Sequence, residues 1–299
     1  MSETRPNKII SNSGGNIKSQ STSMLKIIFW QYCKNRLAVA GAIVIIVLSL
    51  AAILSPLITR FDPNEINLAE IYKQPSWVHP FGTDMNGRDV FARVMYGARI
   101  SMSVGFISSG LAGIIGVIIG ALAGFFGGKI DNLLMRFVDL ILCIPSFFLL
   151  LMVIAMLEPN IYNVMIVIAI TSWPGLARMV RAEVLSIRER DYVQAAIALG
   201  IGRWRIIWRH IIPNVMAPVF VAITLGVAAA ILVESGLSFL GLGVQPPTPS
   251  WGNILAQGRT VMQFAWWMTL FPGLAIFVTV LGYNLVGEGL RDALDPRLR

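Results

Sequence analysis

The chain has 299 residues, 56% hydrophobic and only 13% charged, with a mean hydropathy of +0.70 and a formal net charge of +8. A soluble domain carries about 25% charged residues, so an ordinary water-soluble domain is excluded and lipid supplies part of the solvent. Backbone in lipid must satisfy its own hydrogen bonds. The apolar runs here are continuous, not alternating, so the expected fold is all-α.

Residues 1–23 are polar and rich in Ser, Asn and Gly, and are expected to be disordered. The first apolar run is Leu37–Thr59. A polar lead of 36 residues is too long for a cleaved signal, so this run reads as a retained anchor. Residues 60–99 then form a connecting segment. Its end, "GRDVFARVMYGARIS", puts Val90, Phe91, Val94, Met95 and Ala98 on one helical face and Arg88, Asp89 and Arg93 elsewhere. A short helix at the outer interface or one packed on the bundle would both show this pattern.

The second run, Ile100–Gly128, holds Ala112, Gly116, Gly120 and Gly124 at four-residue spacing, which predicts close approach of another helix. After a connection at 129–136, the third run is Phe137–Leu157 and the fourth is Ile161–Ala177. The fourth is at the lower limit for a span, and Trp173-Pro174-Gly175 predicts a kink at its end. A loop over 178–213 leads to the fifth run, Val215–Leu242. Pro246, Pro247 and Pro249 predict a non-helical loop over 241–260, with Trp251 anchored at headgroup level. The sixth run is Val261–Gly287, and a short tail covers 289–299.

Eighteen of the 24 Lys and Arg fall in 1–36, 129–136, 178–213 and the tail. Such an excess marks the cytoplasmic side. Six spans then place both termini in the cytoplasm, with 60–99 and 241–260 outside. The basic balance is explained by the membrane surface without nucleic acid. Cys33 and Cys143 fall on or near the inner side, so no disulfide is expected.

Enzyme chemistry is hard to place. There is no G-x-x-x-x-G-K-[ST], since Gly128-Lys129 is followed by Ile130, and no G-x-S-x-G or H-E-x-x-H. Two His and two Cys are too scattered for a metal set. The chain is therefore not expected to be an enzyme or to carry a cofactor. Three acids lie in or at the edges of spans, where charge is costly and often functional. Asp139 is placed to pair with Arg136, and Glu288 to be solvated or paired with Arg291. Glu234, beside Ser235 and Gly236 near an outer end, either lines a polar pathway or holds the outer loop.

The stretch "DYVQAAIALGIGRWRIIWRHIIPN" (191–214) reads as two short helices hinged at Gly200-Ile201-Gly202. Trp204, Ile207, Trp208 and Ile211 fall at i, i+3, i+4 and i+7, Arg203, Arg205, Arg209 and His210 take the other faces, and Pro213 closes the second helix. Such a hairpin suits a groove on a partner or an anionic lipid surface.

This spacing resembles the coupling loop of membrane subunits of ATP-binding-cassette importers, E-A-A-x3-G-x9-I-x-L-P. Ala195, Ala196, Gly200 and Pro213 match; Gln194, His210 and Ile212 replace Glu, Ile and Leu. "HPFGTDMNGRDVFARVMYGARIS" (79–101), "ESGLSFLGLGVQPPTPSWGN" (234–253) and "GLRDALDPRLR" are similar to the permeases of dipeptide, oligopeptide, glutathione and nickel importers. The resemblance covers nearly everything from residue 24 onward. It implies a type I importer permease fold in the bacterial cytoplasmic (inner) membrane, with a core over about 97–288. It also implies a second homologous permease as heterodimer partner, two ATPase subunits that hydrolyse ATP, and an extracytoplasmic solute-binding protein. The 191–213 hairpin would dock on the ATPase, and Glu234 and Ser235 would belong to the pathway or outer gate. A nickel-chelate or glutathione importer is the nearest alternative. An ion-coupled secondary transporter fits less well, because three scattered acids make a poor proton relay.

Overall fold

The computed structural model describes residues 24–158 and 160–294. The 1–23 segment expected to be disordered, and Arg297 and Arg299 of the basic tail, lie outside the described residues.

Helix α1 (Met24–Lys34) precedes the first span, α2 (Arg36–Ile53), which Asn35 caps by accepting the N–H groups of Leu37 and Ala38. The span ends before the expected Thr59. Pro56 has no N–H to donate, and it opens a separate turn, α3 (Ser55–Ile58).

Residues 59–89, on the side that the charge split predicts to be outer, fold into a lobe with a 3₁₀ turn at Leu68–Glu70. Gly87 there has φ +68°, and a Cβ would collide with the Asn67 carbonyl. Asp89 caps α4 (Val90–Phe126), accepting the Ala92 N–H at 2.7 Å. This single helix of 37 residues takes in the amphipathic stretch (87–101) from Val90 onward and the second apolar run (Ile100–Gly128) as far as Phe126. No separate interfacial helix forms. Val90, Val94 and Ala98 instead pack in one core with Trp251, Ile254, Trp267 and Met268. Arg93, expected on the polar face, is fully buried and donates from Nη1 to the Pro63 carbonyl at 3.2 Å.

The third run is not a straight span. It is the end of α5 (Gly128–Leu142) plus α6 (Ser146–Ala155), bent by 81° at a break before Pro145, where a helical N–H is missing. The 129–136 connection is therefore helical. Asp131 holds Arg181 through two bonds of 2.5 and 2.6 Å. Asp139 pairs with Arg178 at 2.6 Å, not with Arg136 as expected, because the helix that carries Arg178 lies alongside α5 and brings its guanidinium to the carboxylate.

Helix α7 (Ile161–Arg188) runs through Pro174 and continues 11 residues beyond Ala177 into the expected loop. Packing carries it past the proline, for α4 presents its glycine stripe there. A Cβ on Gly120 would lie 2.5 Å from the Ala177 carbonyl, and one on Gly124 2.8 Å from Val184 Cβ. This bears out the small-residue spacing.

Next come α8 (Asp191–Ala198) and α9 (Arg203–Ile206), then a π-helical turn (Ile207–Ile211) and α10 (Ile212–Phe239). Pro213 does not close the second hairpin helix. It sits in the first turn of α10, and the wider π turn before it accommodates the missing N–H. The rod from Arg203 to Phe239 is continuous. The 241–260 loop is also partly helical, since Ser250 and Asn253 form a reciprocal cap that starts α11 (Trp251–Arg259). The last span is α12 (Trp267–Leu294). Among the described residues, five helices are long and apolar enough to cross a membrane, or six if the bent pair counts as one span.

Candidate functional site

Three features converge on the α4, α7 and α10 bundle. The first is a cavity of 340 Å3 between these helices. Its wall includes Ser108, Ser109, Ser172, Gly175, Gly226 and Met179, and no charged residue lines it. Ser108 and Ser109 turn their hydroxyls onto the carbonyls of Met165 (3.0 Å) and Ile223 (2.7 Å). A Cβ on Gly175 would meet nothing within 4 Å, so this glycine widens the cavity. The sequence reading missed this surface. Its trace was the serine pair inside an apolar helix, which no local pattern assigns to a lumen.

The second feature is the hairpin. Gly200 has φ +72°, and the N–H groups of Gly200 and Ile201 return to the carbonyls of Ile197 (3.0 Å) and Ala196 (3.1 Å). This pair of bonds is the glycine-terminated helix end expected at the hinge. Val193, Ala196, Ile206, Ile207 and Ile211 are buried against α4 and α7 residues such as Ala121, Val180 and Val184. Trp204 and Trp208 are 58% and 66% exposed. The expected four-residue stripe thus splits. Ile207 and Ile211 hold the hairpin to the bundle, while both indoles are largely exposed. Gln194 and Ala195 are exposed, and Gln194 donates to the Arg188 carbonyl at 2.9 Å. Gly202 faces open space, and Pro213 is exposed at the base of α10.

The third feature is a clasp at the outer end of α10. Glu234 is fully buried. It accepts from Ser238 Oγ at 2.7 Å and from Ser101 Oγ at 3.1 Å. Ser101 in turn accepts the Trp251 N–H, and Ser238 accepts the Val244 N–H. Trp251 is buried and donates its indole N–H to the Val94 carbonyl at 2.9 Å, so it is a core residue and not a headgroup anchor. Glu234 is not among the cavity-lining residues. It joins α4, α10 and the outer loop. Ser235 is buried beside it, with no hydrogen-bond partner for its Oγ, and its backbone is close to Gly252. Glu288 is exposed.

The outer lobe holds a polar knot that the sequence did not announce. His79 is buried, with Nδ1 2.9 Å from Asp89 and Nε2 3.1 Å from Glu70. The Lys73 hydrogen bond, aided by His79, holds the Glu70 carboxyl below its ordinary range. Trp77 is wholly exposed nearby.

The chain is 45% identical over 271 residues to the dipeptide transport system permease protein DppC of Alkalihalophilus pseudofirmus, covering 91% of this chain and 89% of that protein. It is 40% identical over 283 residues to the oligopeptide transport system permease protein OppC of Bacillus subtilis, covering 95% and 93%. A solved structure of the MetNI methionine ABC transporter in inward-facing form shares the fold, with a TM-score of 0.57 at 18% identity over 68% of this chain and 96% of that one. Residues 23–75 match the N-terminal TM domain of oligopeptide transport permease C. With residues 116–299 matching the binding-protein-dependent transport system inner membrane component, and with helices built to span a bilayer, the chain belongs to that family of ABC-importer permeases and is a multi-pass inner-membrane protein.

Proposed function

We propose that this permease moves di- and oligopeptides and forms half of their pathway. Family membership implies ATPase and binding-protein partners in general. The finer assembly we infer is a heterodimer with a second homologous permease, two ATPase subunits below and one solute-binding protein outside. Both termini are cytoplasmic in this reading. The 191–213 hairpin docks on the ATPase through Trp204 and Trp208, and the outer lobe and the 241–260 loop meet the binding protein.

One observation carries the reading. The second hairpin helix and a wall of the cavity belong to the same rod, Arg203 to Phe239, which also bears Glu234 at its outer end. Force on the hairpin therefore reaches the cavity and the outer clasp along one continuous helix. The cavity suits peptides because an uncharged wall of small and hydroxylated residues tolerates varied side chains. The named relatives are dipeptide and oligopeptide permeases.

Cells lacking this chain should lose uptake of labelled dipeptides and oligopeptides and recover it on complementation. Loss confined to glutathione or to nickel would reassign the cargo within the subfamily.

A further inference from the structure

A second cavity, of 460 Å3, lies between the hairpin and the end of α4. This is within the range of about 300–1,000 Å3 usual for small-molecule sites. Phe125 and Phe126 form one wall, and Arg188 and Arg203 line it from α7 and from the hairpin. Among the described residues neither arginine has a carboxylate within ion-pair distance. Arg188 Nη1 lies 3.4 Å from where a Cβ on Gly127 would be, close to the C-terminal end of α4. A helix end offsets only about half a charge, so the cavity keeps a net positive potential. Gly200 and Gly202 open onto it, with nothing within 4 Å of a Cβ on either. At the edge, Trp204 meets Phe126 edge-on with ring centroids 5.8 Å apart.

Two arginines lining one cavity with aromatic walls suit a phosphate group, which arginine binds through paired N–H donors. One acidic side chain would leave most of the volume empty. The setting, just beyond the last turn of a membrane-crossing helix, is where basic pockets meet phospholipid headgroups. We propose that this cavity binds one phosphate-bearing anion, from a lipid headgroup or from free phosphate compounds, and thereby ties the hairpin to α7. The regulatory consequence rests on the hairpin being the coupling element. The binding itself does not.

The full chain, purified in detergent without ATPase subunits, can be tested by native mass spectrometry after delipidation. Cardiolipin is added in one arm and inorganic pyrophosphate in the other. A one-to-one adduct is expected in at least one arm, and the arm identifies the source. Arg188→Gln with Arg203→Gln should weaken it about tenfold per arginine. Gly202→Leu, at φ −56° and with room for a side chain, should fill the cavity and weaken binding while leaving both charges. Arg205→Gln with Arg209→Gln, on the same hairpin, should leave it unchanged. An equal loss in that control pair would mean a diffuse basic surface and overturn the site. So would the lack of any one-to-one adduct. Weakened ATPase assembly in Arg188→Gln/Arg203→Gln without an adduct in either arm would also overturn it, and would assign the arginines to an acidic side chain of the partner. Binding is read with no ATPase present, so failure of the coupling reading would appear separately, as normal ATPase stimulation in hairpin variants.

Discussion

Backbone N–H groups donate to Ser101 Oγ and Ser238 Oγ, so both hydroxyl hydrogens are left to point at Glu234. An amide there can accept on one side only. Glu234→Gln should thus face one serine with a donor opposite a donor, at a cost of about 1–3 kcal/mol. We expect a lower melting temperature of the purified protein together with reduced transport. Ser101→Ala should make the amide substitution less harmful, a coupling that a rim carboxylate in water would not show. Asp139, half-exposed on an ion pair, should tolerate Asn with little change in either measurement. The acidic residue itself was legible in the sequence, as a charge inside an apolar run. Its partners were not, because Ser101 and Trp251 are distant in the chain and only the packed bundle brings them together.

Among the elements, the hairpin was the most legible. Its glycine hinge and its first short helix follow from local conformational preference, which a sequence records directly, whereas the second helix runs on into α10. At Gly200 the positive φ disfavours β-branched residues by about 1–2 kcal/mol, although space is free. Gly200→Val should lower transport and uncouple ATP hydrolysis from loaded binding protein, while Gly200→Asn, which accepts this backbone, should retain more of both. Trp208→Ala should leave the melting temperature nearly unchanged, since the ring is exposed, yet weaken ATPase attachment by about 2 kcal/mol in a pull-down titration. Element limits were less legible where proline was involved. Pro145 breaks a run that composition alone joins, whereas Pro174 and Pro213 break nothing, because tight α4–α7 packing and a π turn absorb them. The same residue type gives opposite outcomes according to its neighbours in space. The cavity wall was illegible for a related reason: it is a property of three helices at once.

For the whole molecule, the charge split predicts the orientation. Ser186, in the last turns of α7, and Thr248, in the loop before α11, are both exposed, and the native Cys33 and Cys143 are exposed too. On a background with both native cysteines replaced by serine, Thr248→Cys should react with an impermeant thiol reagent in intact cells, and Ser186→Cys only after permeabilisation. The reverse pattern would invert the topology. The unbroken rod from Arg203 to Phe239 has a further consequence, for efficiency. Under the coupling we propose, the hairpin, the cavity wall and the Glu234 clasp share one shaft, so idle ATP turnover requires that shaft itself to yield. The π turn at Ile207–Ile211 is the soft coupling in that shaft, since its wider ring can tighten to the ordinary helical pitch. Shortening that turn by one residue would rotate the hairpin by about 100° against the cavity wall. Under that proposal, five residues that line no part of the cavity set how much ATP turnover is wasted.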